Sequence, residues 1–181
     1  EAVGVAAEAG AVTVFYGVVG GSFGDPDLAP MAPSPVAGRH FGLSLGAGDI
    51  NGDDFDELVV AQAEDGFHFY YGSLGGLPST GSFLLTTGET SIAIGDFNGD
   101  GFDDFAMGGP FGGWTAGDGW VWEGTALGLD PSPVAWIRQD FMVSDALDGG
   151  NEAGDRFGES LLAADLDNDG YDDLVIGAPG E

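Results

Sequence analysis

An all-β fold of repeated four-stranded antiparallel units is what this sequence predicts, and three observations carry the expectation. The chain writes one acidic loop three times: GDINGDDFDE at 48–57, GDFNGDGFDD at 95–104 and ADLDNDGYDD at 164–173. Each loop runs into a short apolar segment of strand length, LVVAQA (58–63), FAMGGP (105–110) and LVIGAP (174–179), punctuated by Gly and Pro. Glycine is abundant, at 35 of 181 residues, and no segment of any length carries helical apolar periodicity, so tight turns must dominate.

The unit around each loop can be read in order. Ahead of the first loop stands AGRHFGLSLGAG (37–48), and ahead of the third AGDRFGESLLAA (153–164), so that Phe41-Gly42 aligns with Phe157-Gly158 and Ser44 with Ser160. The second unit keeps Ser91 but has Gly88-Glu89 in place of Phe-Gly. After the apolar strand comes a further strand and turn, GFHFYYGSLGGL (66–77) and GDGWVWEGTALGL (117–129). VGVAAEAGAVTVFYG (3–17) is the same piece without its loop. Each unit therefore reads as strand, acidic loop, strand, hairpin, strand, turn and a variable outer strand, which is the four-stranded blade of a β-propeller. The expected divisions are 1–35 for the last strands of a first blade, 36–87 for a blade with loop 49–57, 88–152 for a blade with loop 96–104, and 153–181 for the start of another with loop 165–173. That is about three blades of sequence, whereas closed propellers use roughly 4–8. The expectation is either a segment of a longer propeller chain, which is favoured, or copies that complete one another head to tail into a ring or fibre.

The loops place oxygen-bearing side chains at alternate positions. Counting the first Asp as position 1, positions 1, 3, 5 and 9 are Asp49, Asn51, Asp53 and Glu57; then Asp96, Asn98, Asp100 and Asp104; then Asp165, Asp167, Asp169 and Asp173. The position-7 carbonyls of Phe55, Phe102 and Tyr171 complete each set. A hard cation such as Ca²⁺ takes about 6–8 oxygens, and a tight loop of this spacing supplies them, so three Ca²⁺ sites are expected. An EF-hand opens in the same way but closes on a Glu at position 12 between helices. Here position 12 is Val60, Met107 or Ile176, and the flanks are strand-like. Solvated acidic turns are the bland alternative, and three copies in one register between apolar strands weigh against it. Loop one carries Asp54 at position 6 where the other loops have Gly101 and Gly170, and it ends in the longer Glu57, so it is expected to bind most weakly. Asp56, Asp103 and Asp172 at position 8 are expected to meet loop amides or water rather than metal.

Charge and composition exclude several classes. With 31 acids against 3 Lys plus Arg the net charge is −28, which repels nucleic acid and anionic membranes. No apolar run approaches the ~20 residues that span a bilayer. Cysteine is absent, so no disulfide framework exists. The chain opens at Glu1 without Met or a signal peptide, as expected of a processed product or a segment.

Phe-Gly ahead of the loop and Gly177-Ala178-Pro179 behind it, together with the loop itself, resemble the FG-GAP repeat of integrin α-subunit β-propellers and their bacterial relatives. The third unit matches almost throughout. The second carries Gly108-Gly109-Pro110 and the first Ala61-Gln62-Ala63 in place of Gly-Ala-Pro. The resemblance implies a calcium loop between the first two strands of each blade, with the Phe-Gly and Gly-Ala-Pro segments packed where blades meet.

For function, no nucleophile–base pair, Gly-x-Ser-x-Gly or phosphate-cradling loop is found, and the paired carboxylates are committed to metal geometry, so an enzyme is not expected. His40 and His68 stand apart with no Cys, which argues against zinc. Arg156 aligns with His40 and is expected to pair with a nearby acid. Trp120, Trp122 and Trp136 are expected in sheet packing, and Trp114, in the Gly-rich hairpin, is kept as the candidate ligand contact. The expected function is an extracellular or cell-surface calcium-binding propeller with a structural or adhesive role. Its partners would be other blades, copies of itself, or an extracellular glycan or protein. The alternatives are a carbohydrate-binding module and an accessory domain of a larger secreted enzyme. Extracellular placement follows from the millimolar calcium that weak loops need.

Overall fold

The computed structural model describes residues 8–24, 37–63, 66–85, 90–110, 117–138 and 154–180. Among them every regular element is a β-strand and every strand pairing is antiparallel. A short hairpin joins β1 (Gly17–Val18) to β2 (Ser22–Phe23). The first large sheet is a meander of β3 (Leu45–Gly48), β4 (Glu57–Gln62), β5 (Gly66–Tyr70) and β6 (Ser82–Leu85). The second repeats it with β7 (Ser91–Gly95), β8 (Asp104–Gly109), β9 (Asp118–Trp122) and β10 (Ala135–Ile137). A third pair, β11 (Ser160–Ala164) with β12 (Asp173–Gly177), begins the pattern again. Each acidic loop joins the first strand of its sheet to the second.

The pairing registers follow from turn chemistry and from alternation along each strand. In the first sheet Leu58 lies opposite Tyr70 and Val60 opposite His68, while Val59 lies opposite Phe69 and Ala61 opposite Phe67. The even-numbered set faces back toward residues 12–14, where Val12, Phe41, Val60 and Tyr70 form a buried cluster with Val14, Leu58 and Leu77 packed against it. The odd-numbered set faces forward. Val59, Ala61, Phe67 and Phe69 meet Ile92, Phe105, Met107 and Trp122 of the second sheet, with Ile50 among them. Phe105 is fully buried, its ring 5.1 Å from both Phe67 and Phe69 and 5.8 Å from Trp122. The opposite face of the second sheet, Ala93, Ala106 and Val121, packs on Leu161, Ala163 and Leu174 of the third pair. These sheets are buried on both faces, which is why their strands read as nearly continuous apolar runs.

The Phe-Gly segments sit where neighbouring units meet. Phe41 and Phe157 are buried, Gly10 bridges to Phe41, and the Ser91 hydroxyl donates to the carbonyls of Gly108 and Gly158. Gly158, at φ 84°, lies so close that a Cβ would be 2.7 Å from the Asp118 carbonyl oxygen. Two expectations need adjustment. Residues 10–16 are not a continuous strand; Gly10 and Val14 each take part in an isolated β-bridge. The tryptophans divide: Trp122 is buried, Trp120 is half-buried, and Trp136 is 41% exposed while stacking on Trp120 at 5.5 Å with Arg138 over its ring. Trp114 lies outside the described residues.

His68 is buried, its Nε2 3.0 Å from Gln62 Oε1, with rings of Phe41 and Phe83 at 5.4 and 4.8 Å. Burial lowers its pKa below 6.5, so the buried form is neutral. Its contribution is complete above 6.5 and is lost as the pH falls through the lower folded value. The stability difference between H68F and wild type should therefore move in favour of H68F between pH 7 and pH 5, read by thermal unfolding. Phe105→Ala should cost about 3–5 kcal/mol, the range for a fully buried aromatic, in chemical denaturation.

Candidate metal centre

The three acidic loops share one internal hydrogen-bond scheme. The position-1 carboxylate accepts the amides of positions 5 and 6: Asp49 from Asp53 and Asp54 at 3.0 and 2.8 Å, Asp96 from Asp100 and Gly101 at 3.1 and 2.9 Å, and Asp165 from Asp169 and Gly170 at 3.1 Å each. The position-5 carboxylates of Asp53, Asp100 and Asp169 accept the amides of Phe55, Phe102 and Tyr171, all at 3.0 Å. Position 9 reaches back to the position-2 amide: Glu57 to Ile50 at 2.9 Å, Asp104 to Phe97 at 3.1 Å and Asp173 to Leu166 at 3.0 Å. Glu57 and Asp104 also accept the amides of Gly72 and Gly124, tying each loop to the end of the third strand of its sheet.

This folding requires left-handed backbone at positions 4 and 6. Gly52, Gly99 and Asn168 at position 4 have φ of 70, 75 and 62°, and Asp54, Gly101 and Gly170 at position 6 have φ of 68, 88 and 94°. Asp54 adopts the left-handed turn expected of it, at the cost a Cβ brings there. The position-4 requirement was not drawn from the sequence, although Gly, Gly and Asn, the residues most tolerant of that region, were its signal.

Among the described residues the predicted acids come together as a three-carboxylate group in loop three, without Asp169, and not in loops one and two. Asp165, Asp167 and Asp173 bring carboxylate oxygens within 4.8 Å of one another. In loops one and two, position 3 is an amide. Asn98 Oδ1 accepts the Asp100 amide at 2.9 Å, whereas Asn51 Oδ1 is buried without a hydrogen-bond partner. Burial deepens from loop three to loops two and one: Asp173 is exposed, while Asp104 and Glu57 have almost no accessible surface. Desolvation pushes the Asp104 carboxyl up to about 6 and raises Glu57 as well, against the amides that each accepts. The donors are hard oxygens throughout, Asn51 Oδ1 lacks a partner, and the buried carboxylates of Glu57 and Asp104 each lie near further acids of their own loop. That chemistry fits a hard divalent cation.

Two of the three position-8 acids, Asp103 and Asp172, meet loop amides as expected, but those of the preceding loop. The Asp49 amide donates to Asp103 Oδ2 at 2.8 Å, and the Asp103 amide returns to the Asp49 carbonyl at 3.0 Å. Asp96 and Asp172 repeat the exchange at 3.2 and 2.9 Å. Alongside, the Phe102 and Tyr171 rings cover Gly52 and Gly99 of the preceding loops. Arg156 pairs with Glu159, the acidic partner expected for it.

Comparison with known proteins agrees with this architecture. An FG-GAP repeat model matches residues 157–181, and an FG-GAP-like repeat model matches residues 49–107. The chain belongs to the FG-GAP repeat family. It is similar to integrin alpha-5 of Xenopus laevis, 30% identical over 162 residues, and to integrin alpha-IIb of Mus musculus, 33% identical over 165 residues. Each match covers 78% of this chain and 15% of the relative, so the chain spans about one-seventh of the length of those proteins. No helix among its described residues is long and apolar enough to cross a membrane.

Two glycines separate the turn requirement from the packing requirement. A Cβ on Gly101 meets nothing within 4 Å, whereas one on Gly99 falls 2.4 Å from Tyr171 Cε1. G101A should cost about 1–2 kcal/mol of left-handed strain. G99A should cost about 1–3 kcal/mol more, for displacing the ring. Paired denaturation curves read the difference.

Proposed function

We propose that this chain is part of an extracellular, calcium-binding FG-GAP β-propeller with a structural or adhesive role. The observation that carries the reading is loop three, where carboxylate oxygens of Asp165, Asp167 and Asp173 lie within 4.8 Å of one another, in a loop whose internal hydrogen-bond scheme loops one and two repeat. Asp49, Asn51, Asp53 and Glu57 with the Phe55 carbonyl would hold one Ca²⁺. Asp96, Asn98, Asp100 and Asp104 with the Phe102 carbonyl would hold a second. Asp165, Asp167, Asp169 and Asp173 with the Tyr171 carbonyl would hold a third. Calcium wrapped by protein oxygens offers no position to a substrate, so its role is to neutralise and stiffen the loops, and no catalysis is assigned.

Each four-stranded sheet is then a blade. Exposed apolar side chains lie at both ends of the array, Phe15, Val18 and Phe23 at one and Leu162, Leu166 and Val175 at the other. Such faces support assembly with further blades or with copies of this chain. Similarity to integrin α chains favours adhesion over the sugar-binding alternative, and the packing of Trp120 and Trp122 removes two rings from any stacking platform.

Calcium should raise the melting temperature and chelation should lower it, by the linkage of binding to folding. Asp165→Asn should lose more of that calcium-dependent gain than Asp49→Asn. An unchanged melt in excess EGTA would overturn the calcium reading. Light scattering in millimolar calcium, repeated after chelation, separates an 18.4 kDa monomer from a larger assembly.

A further inference from the structure

We propose that Asp103 and Asp172 couple neighbouring cation sites, so that the three loops fill as a linked series rather than independently. The proposal rests on the reading of the loops as calcium sites. Position 8 lies between two ligand positions of its own loop, the position-7 carbonyl and the position-9 carboxylate. A cation held by both neighbours fixes the residue between them. That residue also grips position 1 of the preceding loop, its amide bonded to the position-1 carbonyl and its carboxylate to the position-1 amide. Position 1 supplies the first carboxylate of that preceding site. Ordering one loop therefore orders the first ligand of the loop before it.

The same arrangement is built at both junctions. A Cβ on Gly48 would stand 2.3 Å from Asp103 Oδ2, and one on Gly95 would stand 2.4 Å from Asp172 Oδ2. At position 4, Gly52 and Gly99 leave the room that the Phe102 and Tyr171 rings take. Asp103 thus links sites one and two, and Asp172 links sites two and three.

The receiving positions are not alike in the three loops. Loop three carries Ala164 where loops one and two have Gly48 and Gly95, and Asn168 where they have Gly52 and Gly99. Its receiving surface therefore bears side chains in the space that the grip and the ring occupy elsewhere. A residue serving only to glue sheets together would change overall stability. A coupling residue changes cation affinity at a site whose own ligands are intact, and linkage makes the effect reciprocal.

The test is a calcium titration of the full chain, followed through the Gly101 and Gly170 amides by heteronuclear NMR as reporters of sites two and three. Asp169→Ala removes a ligand of site three. It should weaken calcium at site two by roughly fivefold or more in the wild-type background, and by nothing further once Asp172→Ala is present. Asp172→Asn keeps an oxygen acceptor for the Asp96 amide and should retain the coupling. Asp56→Ala removes the same charge beside a comparable loop and should leave site two unchanged. Site two indifferent to Asp169→Ala would overturn the coupling while leaving the calcium reading intact. So would Asp172→Asn behaving as Asp172→Ala, or an equal loss from Asp56→Ala. A wild-type chain that takes up no calcium would overturn the calcium reading itself.

Discussion

Face-to-face packing of sheets that are apolar on both sides is the constraint on which the remaining structure depends. β8 is buried along its whole length, and the forward face of one sheet meets the backward face of the next through Phe67, Phe69, Phe105 and Trp122. A sheet of this kind cannot stand alone in water. Its stability comes from neighbours, so the units must repeat and must meet in a fixed rotation. Close approach of the first strands explains the small residues there: a Cβ on Gly46 would lie 2.4 Å from Ile92 Cγ2.

The acidic loops sit at one end of this stack, where the first strand of each sheet turns into the second. Burying carboxylates there opposes folding: desolvation raises the pKa of Asp104 and Glu57, and the neighbouring acids of each loop add to it. The loops answer with their own amides, each Asp at position 1 accepting two or more of them. They answer also with the reciprocal bonds between adjacent loops, which convert position 8 from one more repelling charge into a contact between sheets. A bound divalent cation would supply the remaining neutralisation, which ties the proposed calcium sites to folding and not only to rigidity.

Much of this was legible because it is local. The alternating acids, the strands that follow them and the Phe-Gly segments all fall within short windows of fixed spacing. The positive φ at position 6 followed from the Gly and Asp residues found there. Less legible was the conduct of side chains whose partners are remote. Trp120 and Trp136 stack on each other across a strand pair, and Val12 and Val14 pack on the first sheet from a segment that forms no continuous strand. The pattern of apolar residues announced burial in both cases without naming the neighbour.

Composition and spacing by themselves determined the all-β class, the antiparallel order within each unit, the position of each acidic loop and the oxygen donors it offers, because each depends on residues adjacent in the chain. Only the tertiary structure decided that Asp103 and Asp172 grip the loop before their own, and that Gly48, Gly52, Gly95 and Gly99 make room for that grip. Those partners are 54 and 76 residues apart in sequence and are brought together by the stacking of whole sheets, a relation that no local pattern records.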